Sequence, residues 1–165
     1  MRSWAVLAAV LVATSVTGCD GSAREQMSRD AQVYVVTIRD VVAEQPPPAD
    51  PDVLPVVYVI AVGEEDIAAD IQADVYAELK DEVDVRFADE RAEAVLEDEE
   101  EVPVRDHGVL LAVGALAPES DDDVVDVEVE VYRSKVDWSD VVLTIGRHSA
   151  QWTVTSTSLV PPGDA

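Results

Sequence analysis

Between residues 125 and 131 every odd position is a valine (Val125, Val127, Val129, Val131), and Asp126, Glu128 and Glu130 stand between them. Side chains on a β-strand alternate between its two faces, so this segment is a strand with one face in a core and the other in water. A helix would spread the same acids around its whole circumference and bury some of them. Val141, Leu143 and Ile145 repeat the alternation, Gly146-Arg147-His148-Ser149 reads as a hairpin turn, and Trp152, Val154, Leu159 and Val160 carry a last strand. Val109 to Gly114 is a further strand, and Pro118 to Asp123 a turn after it. The C-terminal third is therefore a four-strand meander.

The preceding residues read differently. Met27, Ala31, Tyr34, Ile38 and Val41 recur at steps of four and three, one face of a helix from about Ala23 to Glu44, although Val33, Val35 and Val36 also suit a short strand. Ser22-Ala-Arg-Glu25 has capping-box spacing for its start. Gln45 to Asp52, with four prolines, ends the helix in a stiff connection. Pro55 to Val62 is a continuous apolar run, as in a strand buried on both faces. Ile67, Ile71, Val75 and Leu79 mark an amphipathic helix from about Asp66 to Lys80. Val83, Val85 and Phe87 form a half-buried strand, Asp89 to Leu96 a short helix, and Glu97 to Glu101 a charge run that belongs in solvent.

Helices early and strands late predict an α+β two-layer domain: N-terminal helices packed on a mixed, mostly antiparallel sheet that ends in the meander. The expected organisation is a leader over residues 1–18, a tether over 19–22, one domain over 23–160 and a disordered tail over 161–165.

Composition narrows the function. The 165 residues hold 35 Asp plus Glu against 11 Lys plus Arg, a net charge of −24. Phosphate backbones are met by clustered Lys and Arg, and the basic residues here are scattered singly, so a nucleic-acid partner is excluded. The single cysteine, Cys19, excludes an intramolecular disulfide, a Cys-rich zinc site and a dithiol redox motif. No cofactor fingerprint is present.

Cys19 is informative by position. Arg2 precedes an uncharged run from Ser3 to Cys19 that ends in small residues, the order of an export signal. The run is softened by Thr14, Ser15, Thr17 and Gly18 and falls short of the roughly 20 apolar residues that span a bilayer. Val16-Thr17-Gly18-Cys19 resembles the lipobox of bacterial lipoproteins. That resemblance implies a thioether-linked diacylglycerol on Cys19, cleavage before it, and display on the extracytoplasmic face of the cell membrane, with the bilayer as partner through acylated Cys19. Two acyl chains suffice for stable anchoring. Without Arg2 the balance is 10 basic against 35 acidic residues. Anionic lipid repels such a domain only within about one Debye length, roughly 8 Å.

Most of the mature chain carries a second resemblance. Tyr34 to Asp40, Val56 to Ile60, Gly108 to Gly114 and Trp152 to Thr157 are similar to blocks of an uncharacterised family of small α+β proteins from Gram-positive bacteria. It implies architecture and no activity. The acidity and the lipobox depart from that family's pattern.

Candidate chemistry is sparse. His107, in Arg105-Asp-His-Gly108, and His148, beside Ser149, read as solvent-exposed turn residues, because sequence neighbours in strands and turns point apart. Asp66, Asp70 and Asp74 stand at steps of four and are the candidates for weak divalent-cation binding, against a plain solvated helix face. Calcium wants six to eight oxygens from a turning loop, and no such loop motif occurs; Asp121 to Asp123 read in the same way. Trp138 and Trp152 suit core packing before ligand stacking. The motifs of serine hydrolases, zinc proteases and nucleotide-binding loops are absent, so no catalytic residue is assigned. Two functions remain: a non-enzymatic binding or interaction module, and a small-ligand or enzymatic pocket between helices and sheet.

Overall fold

The computed structural model describes residues 27–48, 50–63, 66–96, 99, 102–117 and 123–160. Ser28 starts the first helix, α1 (Arg29–Ala43): its Oγ accepts from the Ala31 amide at 3.1 Å, satisfying one N–H that a helix start leaves without a partner. The helix expected from about Ala23 does not run through Met27 and Ser28, which are non-helical because Ser28 caps a start at Arg29; Ser22 to Glu25 lie outside the described residues. Ala31, Tyr34, Ile38 and Val41 face the core at the expected steps, and Val33, Val35 and Thr37 are buried with them. That wide buried face arises because α1 is covered on two sides, by the sheet and by the second helix, α2 (Ala69–Leu79). It also settles the three valines as helix.

Six strands follow the expected order: β1 (Val56–Ala61), β2 (Asp84–Phe87), β3 (Val109–Val113), β4 (Val124–Ser134), β5 (Asp137–His148) and β6 (Gln151–Leu159). They form one sheet in the order β2-β1-β3-β4-β5-β6, with β1 parallel to both β2 and β3 and the remaining pairs antiparallel. The fold is the mixed α+β sheet with a meander of β3 to β6. Helices α1 and α2 share one face, where Val57, Val59, Leu111, Val127, Val129, Leu143 and Ile145 make the main core.

The opposite face divides in two. Over β1 and β3 it is apolar, with Tyr58, Ile60, Leu110 and Ala112, and is covered by Ala94, Val95 and Val104. Here the expected helix over Asp89–Leu96 shrinks to one turn, α3 (Arg91–Ala94), followed by an isolated bridge between Val95 and Val104. Over β4 the same face carries Asp126 and Glu128 to solvent. A strand apolar on both sides needs two covers, and an alternating strand needs one.

Two details of the last hairpin differ from expectation. Gly146 lies inside β5, and the turn is Ser149-Ala150, with φ of 50° and 66°, the positive values that two-residue hairpin turns use to follow the sheet twist. A Cβ on Gly146 would come within 2.9 Å of Thr155 Cγ2, at the point where the β5–β6 register slips. Glycine is needed there for close approach. Leu159 and Val160, expected in the core, are 75 % and 40 % exposed, because β6 is the sheet edge and only its first half, Trp152 and Val154, reaches the helical core.

Candidate functional site

The parallel strands offer two concave ends. At their start, Tyr58 on β1 and Arg86 on β2 are register partners and point away from the helices. Arg86 donates from Nη2 and Nε to Asp84 Oδ2 at 2.7 and 3.2 Å, and from Nη1 to the Tyr58 hydroxyl at 2.8 Å and to Asp106 Oδ2. Tyr58 also donates to Asp106 Oδ2, at 3.3 Å. Asp106 and His107 both hold φ of 55°, a left-handed conformation that costs a non-glycine residue energy and is maintained here by the Arg86 contact at one end and the β3 ladder at the other. The guanidinium holds the Asp106 carboxyl below the usual carboxylate range, chiefly by hydrogen bonding. Hydrogen bonds to Asp84 and Asp106 in turn push the Arg86 pKa up. A depressed carboxylate stabilises the fold above the ordinary Asp pKa, and that contribution is lost as pH falls through the lowered value. The adjoining groove, about 450 Å³, is lined by Val53, Leu54, Tyr76 and Lys80 together with Asp84, Arg86 and Asp106.

At the other end, the chain leaves β1 for β2 on one side and later enters β3 on the other, so the carboxyl ends of β1 and β3 flank a reversal of strand order, where α/β sheets generally bind ligands. A crevice of about 310 Å³ lies there, between Gly63, Leu116, Ile71 and the side chains of Asp30, Tyr34 and Asp66. Burial, and then the nearby Asp30 charge, push the Tyr34 phenol up to about 12, so it stays a hydrogen-bond donor. Asp30 Oδ1 accepts no hydrogen bond, with Arg29 Nη1 at 3.6 Å.

The three aspartates singled out by sequence do not share a helix face. Helix α2 begins at Ala69, leaving Asp66 ahead of it, and Asp70 Oδ1 instead accepts from the Ile71 amide at 3.0 Å. Among the described residues no group of three or more His, Cys, Asp or Glu is placed to hold a metal. His107 and His148 are exposed, Trp152 is buried in the core, and Trp138 is 53 % exposed. Cys19, Asp121 and Asp122 lie outside the described residues, as does the charge run apart from Glu99, which is exposed.

The Tyr58–Arg86–Asp106 cluster was not foreseeable. Arg86 reads as the polar position of an alternating strand, and Asp106 as a neighbour of His107; their meeting depends on the parallel pairing of β1 with β2 and β3. The chain matches no known protein family, and neither a curated protein nor a solved structure is significantly similar to it.

Net charge gives a direct expectation. At −24 the chain repels itself, and screening relieves that repulsion. The thermal midpoint is expected to rise from dilute buffer to about 0.5 M sodium chloride, where the Debye length drops to a few ångströms. Calcium at equal ionic strength is expected to do no more. A much larger calcium response would identify a specific site.

Proposed function

We propose that the chain is a lipoprotein anchored by acylated Cys19 on the extracytoplasmic face of the cell membrane, where its α+β domain serves as a non-enzymatic binding or interaction module. The anchor rests on the lipobox-like Val16-Thr17-Gly18-Cys19, and no helix among the described residues is long and apolar enough to cross a membrane. One observation carries the binding role: the centre of the helix–sheet junction is filled by side chains that are almost wholly buried, from Ile38 and Leu79 to Leu111, Leu143 and Ile145, and the crevice lined by Asp30 and Tyr34 lies at its edge, by the ends of β1 and β3. The Arg86 cluster suits the same role, since its charges are mutually satisfied rather than poised for proton transfer.

Replacing Cys19 with Ser is the test of the anchor. The protein is expected to leave the membrane fraction for the medium, or to stay unprocessed, with loss of the diacylglyceryl mass. Identical detergent partitioning and identical mass for both forms would overturn it.

A second reading has one observation in its favour: Asp30 Oδ1 accepts no hydrogen bond, with Arg29 Nη1 at 3.6 Å, in the crevice that Tyr34 also lines at the ends of β1 and β3. A small polar ligand there would appear as a non-covalent adduct in native mass spectra of the purified protein and disappear when Ile71→Trp fills the crevice.

A further inference from the structure

The two edges of the sheet are treated differently by the sequence. The β2 edge is four residues long and carries Asp84 and Arg86, the short, charged form that keeps a strand from pairing with another chain. The β6 edge is nine residues long, and from Gln151 to Leu159 it contains no charge and no proline, in a protein with 28 % charged residues. Among the described residues no strand pairs with its outer side. Pro161 and Pro162 follow at once and limit the pairing segment to β6 itself.

The ladder shows which groups β6 presents. Val160 donates to the Asp140 carbonyl at 2.8 Å, and alternate residues of an antiparallel strand point their backbone groups to opposite sides. Thr157 and Leu159, opposite Leu143 and Val141, therefore aim N–H and C=O away from β5. Leu159 stands on the helical face of the sheet with no helix over it, at 75 % exposure. An added strand would both pair these backbone groups and cover that side chain.

We infer that β6 is a strand-addition site for an extended, basic-flanked segment of a partner protein. The inference rests on the binding-module reading and names the surface and the partner chemistry. Strand addition takes affinity from main-chain hydrogen bonds and specificity from alternate side chains, so the segment must favour an extended strand, as Thr and Val do. Its charge follows from the whole domain. Within the ladder Asp140 lies opposite Val160 and Arg147 opposite Trp152, which cancel, whereas the chain as a whole carries −24. That field draws a cationic segment to the edge and opposes a second copy of the chain.

The test uses the mature lipidated protein in phosphatidylcholine nanodiscs, with empty nanodiscs as control. The probe is a labelled peptide of alternating Thr and Val with a pair of lysines at each end. Saturable binding is expected, with slowed hydrogen exchange at Thr157 and Leu159. A peptide with glutamates in place of the lysines is expected to bind about tenfold more weakly. Thr157→Pro deletes an outward N–H while sparing the ladder to β5, and is expected to lower affinity about tenfold. Should that variant lose its fold, Leu159→Lys, at an exposed position, is expected to weaken the lysine-flanked peptide specifically. No binding by the wild type, or equal binding by the β6 variants, would overturn the inference, the latter by showing attraction to the acidic surface at large. A dimer in sedimentation that Thr157→Pro dissociates would overturn it in favour of self-pairing. Membrane fractionation of Cys19→Ser is independent of all these outcomes, so failure at β6 leaves the anchored module to be judged separately.

Discussion

Leu111→Ala is expected to destabilise the domain by about 3 kcal/mol, within the range of roughly 2–5 kcal/mol for deleting a buried leucine side chain. Leu111 sits in the middle of β3, paired with Val59 on one side and Val131 on the other, and no part of it reaches solvent. The loss has two sources, the transfer of the deleted methyl groups and the cavity that a central strand, held from both sides, is unable to close. At roughly 2–4 °C per kcal/mol for a domain of this size, the thermal midpoint should fall by about 6–12 °C. Leu159→Ala is the matched control: the same atoms are deleted at an exposed edge, and the change should stay within about 0.5 kcal/mol. Equal losses at the two positions would show that β3 is not the buried centre of the sheet.

Raising the pH should unfold the wild-type protein more readily than Tyr34→Phe. The Tyr34 pKa is pushed from 10.0 to about 12, first by burial against the sheet and then by the Asp30 carboxylate one helical turn earlier. Between those values the folded chain keeps a proton that the unfolded chain has released. Stability from this group is therefore complete below the unfolded value and is lost as pH rises through the folded one. Two units correspond to roughly 2–3 kcal/mol. Phenylalanine keeps the ring and removes the titration, so its thermal midpoint should fall less steeply over about pH 10 to 12. Tyrosinate absorbance followed on the folded protein provides the direct check, because one phenol fewer should titrate late in the variant. Parallel curves for the two proteins would mean that Tyr34 meets solvent and that the crevice beside it is more open than described.

Alternation and run length made most of the sheet legible in advance. Val125 to Val131 admits one conformation in which all its acids reach water, and β4 adopts it. The apolar run from Val56 to Ala61 announced a strand covered on both faces, and Tyr58 and Ile60 are buried on the side away from the helices. The steps of α2 at Val75 and Leu79 were equally direct. Ends and turns are less legible. Gly146 beside Arg147 and His148 has the composition of a turn, whereas it serves the slipped register opposite Thr155. Leu159 is apolar, yet whether an apolar residue is covered depends on what lies above it, and Leu159 is 75 % exposed.

The functional surfaces divide along the same line. The anchor expected at Cys19 is a local matter, read from the neighbouring residues Val16 to Gly18. So are the acidity and the lack of charge along β6, which follow from composition alone. Tertiary structure alone decided that β6 is the outer strand of the sheet among the described residues, that Arg86 meets Asp106 through the parallel pairing of β1 to its two neighbours, and that Asp66 lies ahead of the helix that carries Asp70 and Asp74. The physical reason is range. Periodicity records which side of an element faces a core, because burial acts on each residue through its immediate neighbours in space along that element. Strand order and helix ends are set by competition among contacts far apart in the chain, and no single segment carries that comparison in its own residues.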